Sequence, residues 1–416
     1  MSSKRVDVAV VGLGTIGTGV AKLLLHKEAA NMRHAGCDLR MRYGVDLDVK
    51  RDRGVDFPDG VLTDDLDRVL ADDDVEIVVQ LIGGTGAARS IMLKVLDAGK
   101  HVVTANKALL AAHGAELFQR ARERGCTISF EAAVAGGIPI VSSICESLTA
   151  NKINSVGGIL NGTCNFIITE MQEHGSDYSE VLSKAQDLGY AEADPTLDVN
   201  GSDTAQKLAI LAQLAFGLHV DWESIPRMGV VELAIQDIQM ADALGFRIKL
   251  LATALGGNQG PILSVSPTLI SKDEPLASVS GAFNAVQIVG DAVGPVFYQG
   301  YGAGEMPTAS AVVSDVIATA CGRAAVTFDR MSLWPAGEEK VSAPSIEGAS
   351  SCWFVRASAG VTAESLAEWL RIDVSNVEAD DDGVGAISAS CNRRELQDML
   401  GTLGDNLTIL PVLLSA

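Results

Sequence analysis

Val6-Asp7-Val8-Ala9-Val10-Val11-Gly12-Leu13-Gly14-Thr15-Ile16-Gly17 is the stretch whose reading decides the fold. An apolar strand runs into glycines spaced G-x-G-x-x-G, and an apolar helical run follows. In that setting Gly12 permits the tight turn, Gly14 lets the backbone approach a pyrophosphate, and Gly17 lets helix and strand pack closely. The helix start, with Thr15 and Ile16, offers free N–H groups and a partial positive charge to phosphates. Strand, spacing and helix agree, so the stretch reads as a dinucleotide site rather than an ordinary strand-to-helix turn.

Outward from it, short β-branched runs at 6–11, 39–47, 77–81, 102–104 and 128–130 alternate with helical patterns at 20–29, 66–71, 88–98 and 108–124. That alternation predicts βαβ units and a doubly wound, Rossmann-type parallel sheet over residues 1–131. Residues 132–305 change texture, with longer helical segments at 178–188, 202–217 and 232–245 and strand-like runs at 262–267 and 285–289. They read as an α+β domain for substrate and subunit contact, and a helix at 309–324, within about 306–330, completes the first domain. A small, polar stretch at 335–351 reads as a linker. Residues 352–416 then show strands at 353–357, 374–379, 386–390 and 407–413 and helices at 363–370 and 393–403, the βαββαβ order of ferredoxin-like domains.

Composition narrows the function classes. The 416 residues include 53 acidic and 32 basic ones, a net charge of −21 that argues against a nucleic-acid or anionic-membrane partner. Seven cysteines are scattered singly, with no C-x-x-C spacing, and read as reduced cytosolic thiols. No apolar signal region or run of about 18 apolar residues occurs, so the cytoplasm is the expected compartment. None of the six histidines has a partner at metal spacing.

Cofactor choice turns on the end of the second strand, where a carboxylate accepts the ribose 2′-hydroxyl of NAD and a cation meets the 2′-phosphate of NADP. Asp46-Leu47-Asp48 stands there, about 30 residues past the glycines rather than about 20. The reading leans towards NAD through Asp46, with Lys50 and Arg51 close enough to reverse it.

Several further stretches resemble homoserine dehydrogenase over roughly residues 5 to 325. They are Ile82-Gly83-Gly84, Thr104-Ala105-Asn106-Lys107, Glu131-Ala132-Ala133-Val134-Ala135-Gly136-Gly137-Ile138-Pro139 and Asn161-Gly162-Thr163-Cys164-Asn165. Gly189-Tyr190-Ala191-Glu192-Ala193-Asp194-Pro195, Gly201-Ser202-Asp203-Thr204-Ala205-Gln206-Lys207, Gly302-Ala303-Gly304 and Met306-Pro307-Thr308 follow in order. The resemblance implies reversible oxidation of homoserine to aspartate semialdehyde, on the route to threonine and methionine, by a homodimer or homotetramer. It also implies cofactor contacts at Gly83, Thr104, Lys107 and Gly304, and substrate contacts at Thr163, Gly189 and Tyr190. A monovalent cation, sodium or potassium, is implied at Glu131, Val134, Gly136 and Ile138. The family's usual Arg or Lys before an Asp at the end of the second strand is here Leu47 before Asp48, which weakens a simple NADP assignment.

Such a reaction needs a group that exchanges a proton with the substrate oxygen and an anionic pocket for its ammonium. Asp203 and Lys207 lie four apart on an expected helix, hence on one face, a pattern also met in plain surface ion pairs. The neighbouring carboxylate-rich loop at 192–198 favours chemistry: Lys207 as proton donor and base, with Glu192, Asp198 and Asp203 binding the substrate ammonium or positioning the lysine. A free lysine titrates at about 10.4, so acting as a base at about pH 8 requires a lowered pKa, which a second ammonium such as Lys107 would supply. Lys107 follows a strand at the carboxyl edge where doubly wound sheets bind ligands, so it serves cofactor contact and proton path alike.

Two other readings stay open at this level. Cys164 beside Asn165 would be the nucleophile of a thiol-dependent semialdehyde dehydrogenase, and a non-catalytic nucleotide sensor would keep the fold alone. The terminal βαββαβ segment resembles an ACT module, which implies an amino-acid effector such as threonine. The module's usual Asp-x-Pro-Gly turn is replaced by Ala357-Ser358-Ala359-Gly360-Val361.

Overall fold

The computed structural model describes residues 5–26, 36–257, 260–335, 340–343, 350–358, 360–401 and 407–413. Two units partition the chain. The first holds Met1–Ala150, Ala209–Asp221 and Tyr301–Val341, and the second Asn151–Leu208, Trp222–Gly300 and Ser342–Ala416.

In the first unit, strands β1 (Arg5–Val11), β2 (Asp38–Val45), β3 (Leu62–Thr63), β4 (Val75–Gln80), β5 (His101–Thr104) and β6 (Ile128–Ser129) form one sheet in the order β3-β2-β1-β4-β5-β6. The pairings are parallel. The two mid-sheet strands, β1 and β4, are almost wholly buried, which is why they read as continuous apolar runs. The order reverses between them, and such a switch point opens a crevice at the carboxyl ends of the strands. Helices Thr15–His26, Gly86–Asp97 and Lys107–Arg124 make the crossovers.

Element ends differ from expectation where side chains intervene. The second strand stops at Val45, two residues early, because Asp46 turns the chain by accepting the Asp48 N–H at 3.0 Å. The first helix begins at Thr15 and ends at His26; the expected residues 27–29 lie outside the described ones. The two-residue β3 is too short to show alternation in sequence. Helix Lys107–Arg124 is capped at one end by Asn106, which accepts the Leu109 N–H at 3.0 Å, and at the other by left-handed Gly125.

The helix expected at 309–324 is two: Glu305–Ala320 and Arg323–Met331, bent by 90° at Cys321-Gly322. Among the described residues no single helix is long and apolar enough to cross a membrane. Trp334, in the turn that follows the second of these helices, is 2% exposed and sits 4.6 Å from the Phe118 ring. Arg122 fixes the same turn by donating to the Leu333 and Trp334 carbonyls. The expected linker is tied down at Val341, which pairs with Val220; 336–339 and 344–349 lie outside the described residues.

The second unit contains β7 (Ile153–Ile159), β8 (Phe246–Leu255), β9 (Ile262–Ser271), β10 (Phe283–Gly290) and β11 (Gly294–Tyr301), in the order β11-β10-β7-β8-β9. β7, with two glycines, and β8, which follows a helix after one glycine, carry weak local signals and were not expected. The helix expected at 232–245 spans only Ile235–Ala243 because Gly245 turns the chain into β8 at positive φ. Pro267 lies inside β9 rather than ending it, tolerated because β9 is an edge strand of this sheet.

β12 (Trp353–Ser358), helix Ala363–Leu370, β13 (Val377–Asp380), β14 (Gly383–Ile387), helix Arg393–Leu400 and β15 (Leu407–Pro411) complete the βαββαβ order, with sheet order β13-β14-β12-β15. Residues 374–376 are a 3-10 turn capped by Asp373 rather than strand. β14 begins at Gly383, earlier than expected, because the Asp380 carboxylate holds the Asp382 and Gly383 N–H groups at 2.9 Å and closes a hairpin there. Residues 402–403 of the last expected helix, and Ala359 of the altered turn, lie outside the described residues. The module is joined to the five-stranded sheet: the Leu413 N–H donates to the Leu269 carbonyl at 2.8 Å, and Asp237, 1% exposed, pairs with Arg356.

Candidate active site

The first unit carries the nucleotide features. Gly12 has φ +94, a Cβ on Gly17 would stand 2.0 Å from the Gly12 carbonyl oxygen, and around Gly14 a Cβ would meet nothing within 4 Å. The tight turn, the open backbone and the close helix approach thus fall at Gly12, Gly14 and Gly17 respectively. Asp46 reaches back from β2 to accept the Leu13 N–H at 2.8 Å. Burial works to raise the Asp46 pKa, but the N–H groups of Asp48 and Leu13 and the Arg53 guanidinium hold it below the usual carboxylate value. Arg53 has a side chain only 3% exposed and donates to the carbonyls of Leu13, Arg51 and Asp48. Sequence reading weighed Lys50 and Arg51 and missed Arg53; its only signal was membership of the same basic run. Asp48 spends its carboxylate on the Lys50 and Arg51 N–H groups.

At the carboxyl ends of β4 and β5, Thr104 donates to buried Gln80 at 2.9 Å, and Gln80 and Asn106 both donate to the Ile82 carbonyl. Asn106 also binds the Gly84 carbonyl at 2.7 Å. This network suspends Gly83 with open space where a Cβ would be. Half-buried Lys107 begins the adjoining helix. Gly304, at φ +113, opens helix Glu305–Ala320, whose Glu305 pairs with Lys22 of the nucleotide helix at 2.7 Å.

The loop from Glu131 to Pro139 holds left-handed Ala135 and Gly136 in succession, which breaks any regular ladder there, and the Ile138 carbonyl accepts the Ile140 N–H at 2.8 Å. A Cβ on Gly136 would lie 2.3 Å from the Gly302 carbonyl oxygen, so only glycine fits. The Glu131 carboxylate accepts the Val141 and Ser142 N–H groups at 2.8 and 2.9 Å, and burial pushes its pKa up. Asp315 accepts the Glu131 N–H at 2.7 Å and is itself raised by burial and the neighbouring carboxylate. Among the described residues no group of three His, Cys, Asp or Glu could hold a metal ion.

Asp203 and Lys207, in the part of helix Ser202–Phe216 that belongs to the second unit, share one face, and their charged atoms meet at 2.7 Å with side chains 8% and 12% exposed. This is not a solvated surface pair. Lys207 also donates to the Leu160 carbonyl at 2.6 Å, which Asn284 shares at 3.0 Å. Asn161 donates to Asp198 at 2.8 Å and Asp203 at 2.9 Å, so one amide clamps both carboxylates. The Asn161 carbonyl oxygen meanwhile caps helix Gly162–His174 through the Cys164 N–H. Asn161 stood in a quoted motif without a role, and Asn284 had no sequence signal.

Thr163 donates to the Tyr190 carbonyl at 2.6 Å, and the Phe166 ring packs against the Tyr190 ring at 4.8 Å with the planes tilted by 39°, next to left-handed Gly189. Glu192 is exposed on the same loop, outside the hydrogen-bonded Asn161 group. Asp194 accepts from the Thr196 N–H and hydroxyl, a turn role. Cys164 is wholly buried, donates to the Asp198 carbonyl at 3.3 Å, and is pushed well above the ordinary thiol value by burial and by Asp198 and Asp203. A thiolate is thereby disfavoured and inaccessible, which removes the thiol-acylating reading.

Residues 139–317 match a family model described as homoserine dehydrogenase, and residues 12–131 one described as the homoserine dehydrogenase NAD binding domain. The chain is 44% identical over 315 residues to the homoserine dehydrogenase of Bacillus subtilis (strain 168), covering 76% of this chain and 73% of that one. The corresponding figures for the Pseudomonas aeruginosa homoserine dehydrogenase are 46%, 76% and 72%. Among solved structures, a homoserine dehydrogenase from Thiobacillus denitrificans superposes with a TM-score of 0.87 at 36% identity over 99% of each chain. A hyperthermophilic archaeal homoserine dehydrogenase mutant in complex with NADPH gives 0.64 at 27% identity, over 76% of this chain and 97% of that one.

Proposed function

The chain belongs to the homoserine dehydrogenase family, and from that premise we propose that Lys207 exchanges the proton of the substrate's reacting oxygen while Asp203 and the Leu160 carbonyl hold its ammonium in place. As a member of that family it interconverts homoserine and aspartate semialdehyde with a nicotinamide nucleotide. The observation that carries the proposal is the pinning of Lys207: an ammonium has three N–H bonds, and Leu160 and Asp203 take two. The third is available to donate to an aldehyde oxygen in reduction, and the neutral amine accepts the alcohol proton in oxidation. When bound, the nicotinamide supplies the hydride acceptor or donor.

Gly12, Gly14, Thr15, Ile16, Gly17, Gly83, Thr104 and Gly304 are assigned to the nucleotide, and Lys107 to nucleotide contact and the proton path. Thr163, Gly189, Tyr190, Glu192, Asp198 and Asp203 are assigned to the amino-acid end of the substrate. Replacing Asn161 by Ala tests this half. Loss of the cap costs about 1 kcal/mol of stability, and the homoserine KM should rise well above its native value while the KM for the nucleotide stays put. Equal effects on both would count against the clamp.

Asp46 supports NAD over NADP, because it is ionised and faces the glycine loop whereas Arg53 is buried and engaged. The direct experiment is initial-rate homoserine oxidation with each nucleotide. A kcat/KM for NADP about tenfold above that for NAD, equivalent to about 1.4 kcal/mol of transition-state preference, would overturn this choice. A sodium or potassium ion at the carbonyls of Val134, Gly136 and Ile138 with Glu131, a homodimer or homotetramer, a threonine-like effector on the terminal module and a cytoplasmic location complete the proposal.

A further inference from the structure

The second unit contains a cavity of about 310 Å³ between the 226–228 segment, β9 and the terminal module. Among the described residues lining it are two arginines, Arg227 and Arg393, with Ser264, Ser266, Gln397 and the Trp353 edge, and no Asp or Glu. In a chain with 53 acidic and 32 basic residues this is a local reversal of charge. Arg89, Arg120 and Arg124, by contrast, each reach a carboxylate. Arg227 lies over the Trp222 ring at 5.4 Å and donates to the Glu223 carbonyl, and Arg393 lies over the Trp353 ring at 5.7 Å. Stacking orients the planes of the guanidinium groups and leaves N–H edges for a ligand. Trp353 is itself fully buried and anchored by its indole N–H to the Cys391 carbonyl at 2.9 Å.

The wall of this cavity continues into the acid–base cluster. The Met228 N–H donates to the Val265 carbonyl at 2.8 Å and the Val265 N–H to the Pro226 carbonyl at 3.0 Å, so the segment is zipped to β9. The next residue, Gly229, lies so close to Val199 that a Cβ would stand 2.0 Å from the Val199 carbonyl oxygen, and the Val230 N–H donates to that oxygen at 2.8 Å. Val199 directly follows Asp198, which Asn161 clamps beside Asp203 and Lys207.

We propose that the cavity binds a small organic anion, a carboxylate or phosphate ester, between Arg227 and Arg393, and that its occupancy shifts substrate affinity through the 228–230 strap and Asp198. Binding rests on the cavity alone. The kinetic consequence rests on the role assigned above to Asp198 and Lys207.

The test uses the full chain at constant ionic strength, with inorganic phosphate in one arm, succinate in a second and chloride as reference. Tryptophan fluorescence should respond saturably in one anion arm, and the arm that responds identifies the anion. The melting midpoint should rise by a few degrees when the probe is in about hundredfold excess over its Kd. Arg227→Gln with Arg393→Gln should abolish the response, and Arg227→Lys with Arg393→Lys should retain most of it. No response beyond chloride, or an unchanged response in the Gln variant, overturns the site. If the double Gln variant does not fold, the single variants Arg227→Gln and Arg393→Gln replace it: each should weaken the response, and an undiminished response in both overturns the site. Saturating anion should move the homoserine KM at least about twofold, which is about 0.4 kcal/mol. Saturable binding with an unmoved KM overturns the strap while keeping the site. Loss of turnover in Lys207→Met has no bearing on the binding arm, so the two proposals fail separately.

Discussion

Lys207→Met should lower kcat for homoserine oxidation by about 10²–10⁴-fold, the range attached to loss of a positioned acid–base group. The KM for the nucleotide should change little, because Met preserves the stem that fills the helix face and the nucleotide features lie on other residues. Asp203, with a side chain 8% exposed, loses its cation, and breaking such a buried pair costs about 3–5 kcal/mol of stability. Circular dichroism and a melting curve must therefore accompany the kinetics, so that lost turnover is read only from folded protein. Lys207→Arg is the companion. It retains the ion pair but does not surrender a proton near neutral pH, so stability should return while oxidation stays slow. A Lys207→Met enzyme that keeps kcat within about twofold would end the proton-transfer assignment, since that is under about 0.5 kcal/mol of barrier.

The second large effect is expected at Gly17. A methyl group there meets a backbone oxygen at 2.0 Å and the carbonyl carbon at 3.0 Å, neither of which can rotate away as a side chain would. The helix start must move off β1, at an overpacking cost of about 1–3 kcal/mol. Because the same N-terminal turn is the one proposed to hold the pyrophosphate, a loss at the upper end of that range should raise the Kd for the nucleotide about a hundredfold. Gly14→Ala is the informative contrast. With nothing within 4 Å of the added Cβ, the melting midpoint should hold, yet the methyl occupies the space a phosphate needs. Calorimetric titration with NAD beside a melting curve separates the two. Gly17→Ala binding NAD like the native protein would refute the close-approach argument.

What could be read without coordinates was local. The glycine spacing lies within one turn and the start of one helix, so its geometry follows from a dozen consecutive residues. The alternation of short apolar runs and helical patterns likewise predicts parallel strands, because each crossover is contiguous in sequence. Asp203 and Lys207 share a face for the same reason: a helix brings residues four apart together whatever surrounds it. The terminal βαββαβ order was legible in its elements, with ends displaced where Asp380 and Asp373 redirect the backbone.

Only the tertiary structure decided which distant groups those local pieces meet. Asn161 reaches Asp198 and Asp203 from 37 and 42 residues away, and Arg53 enters the glycine loop from 40 residues on. No periodicity encodes such contacts. The chain order β11-β10-β7-β8-β9 brings β7 beside β10 across more than a hundred residues, which weak glycine-bearing strands cannot announce alone. Burial follows the same logic: it turns an ordinary helical ion pair into a pinned ammonium and a motif cysteine into an inert thiol, and burial is a property of neighbours that sequence distance does not reveal.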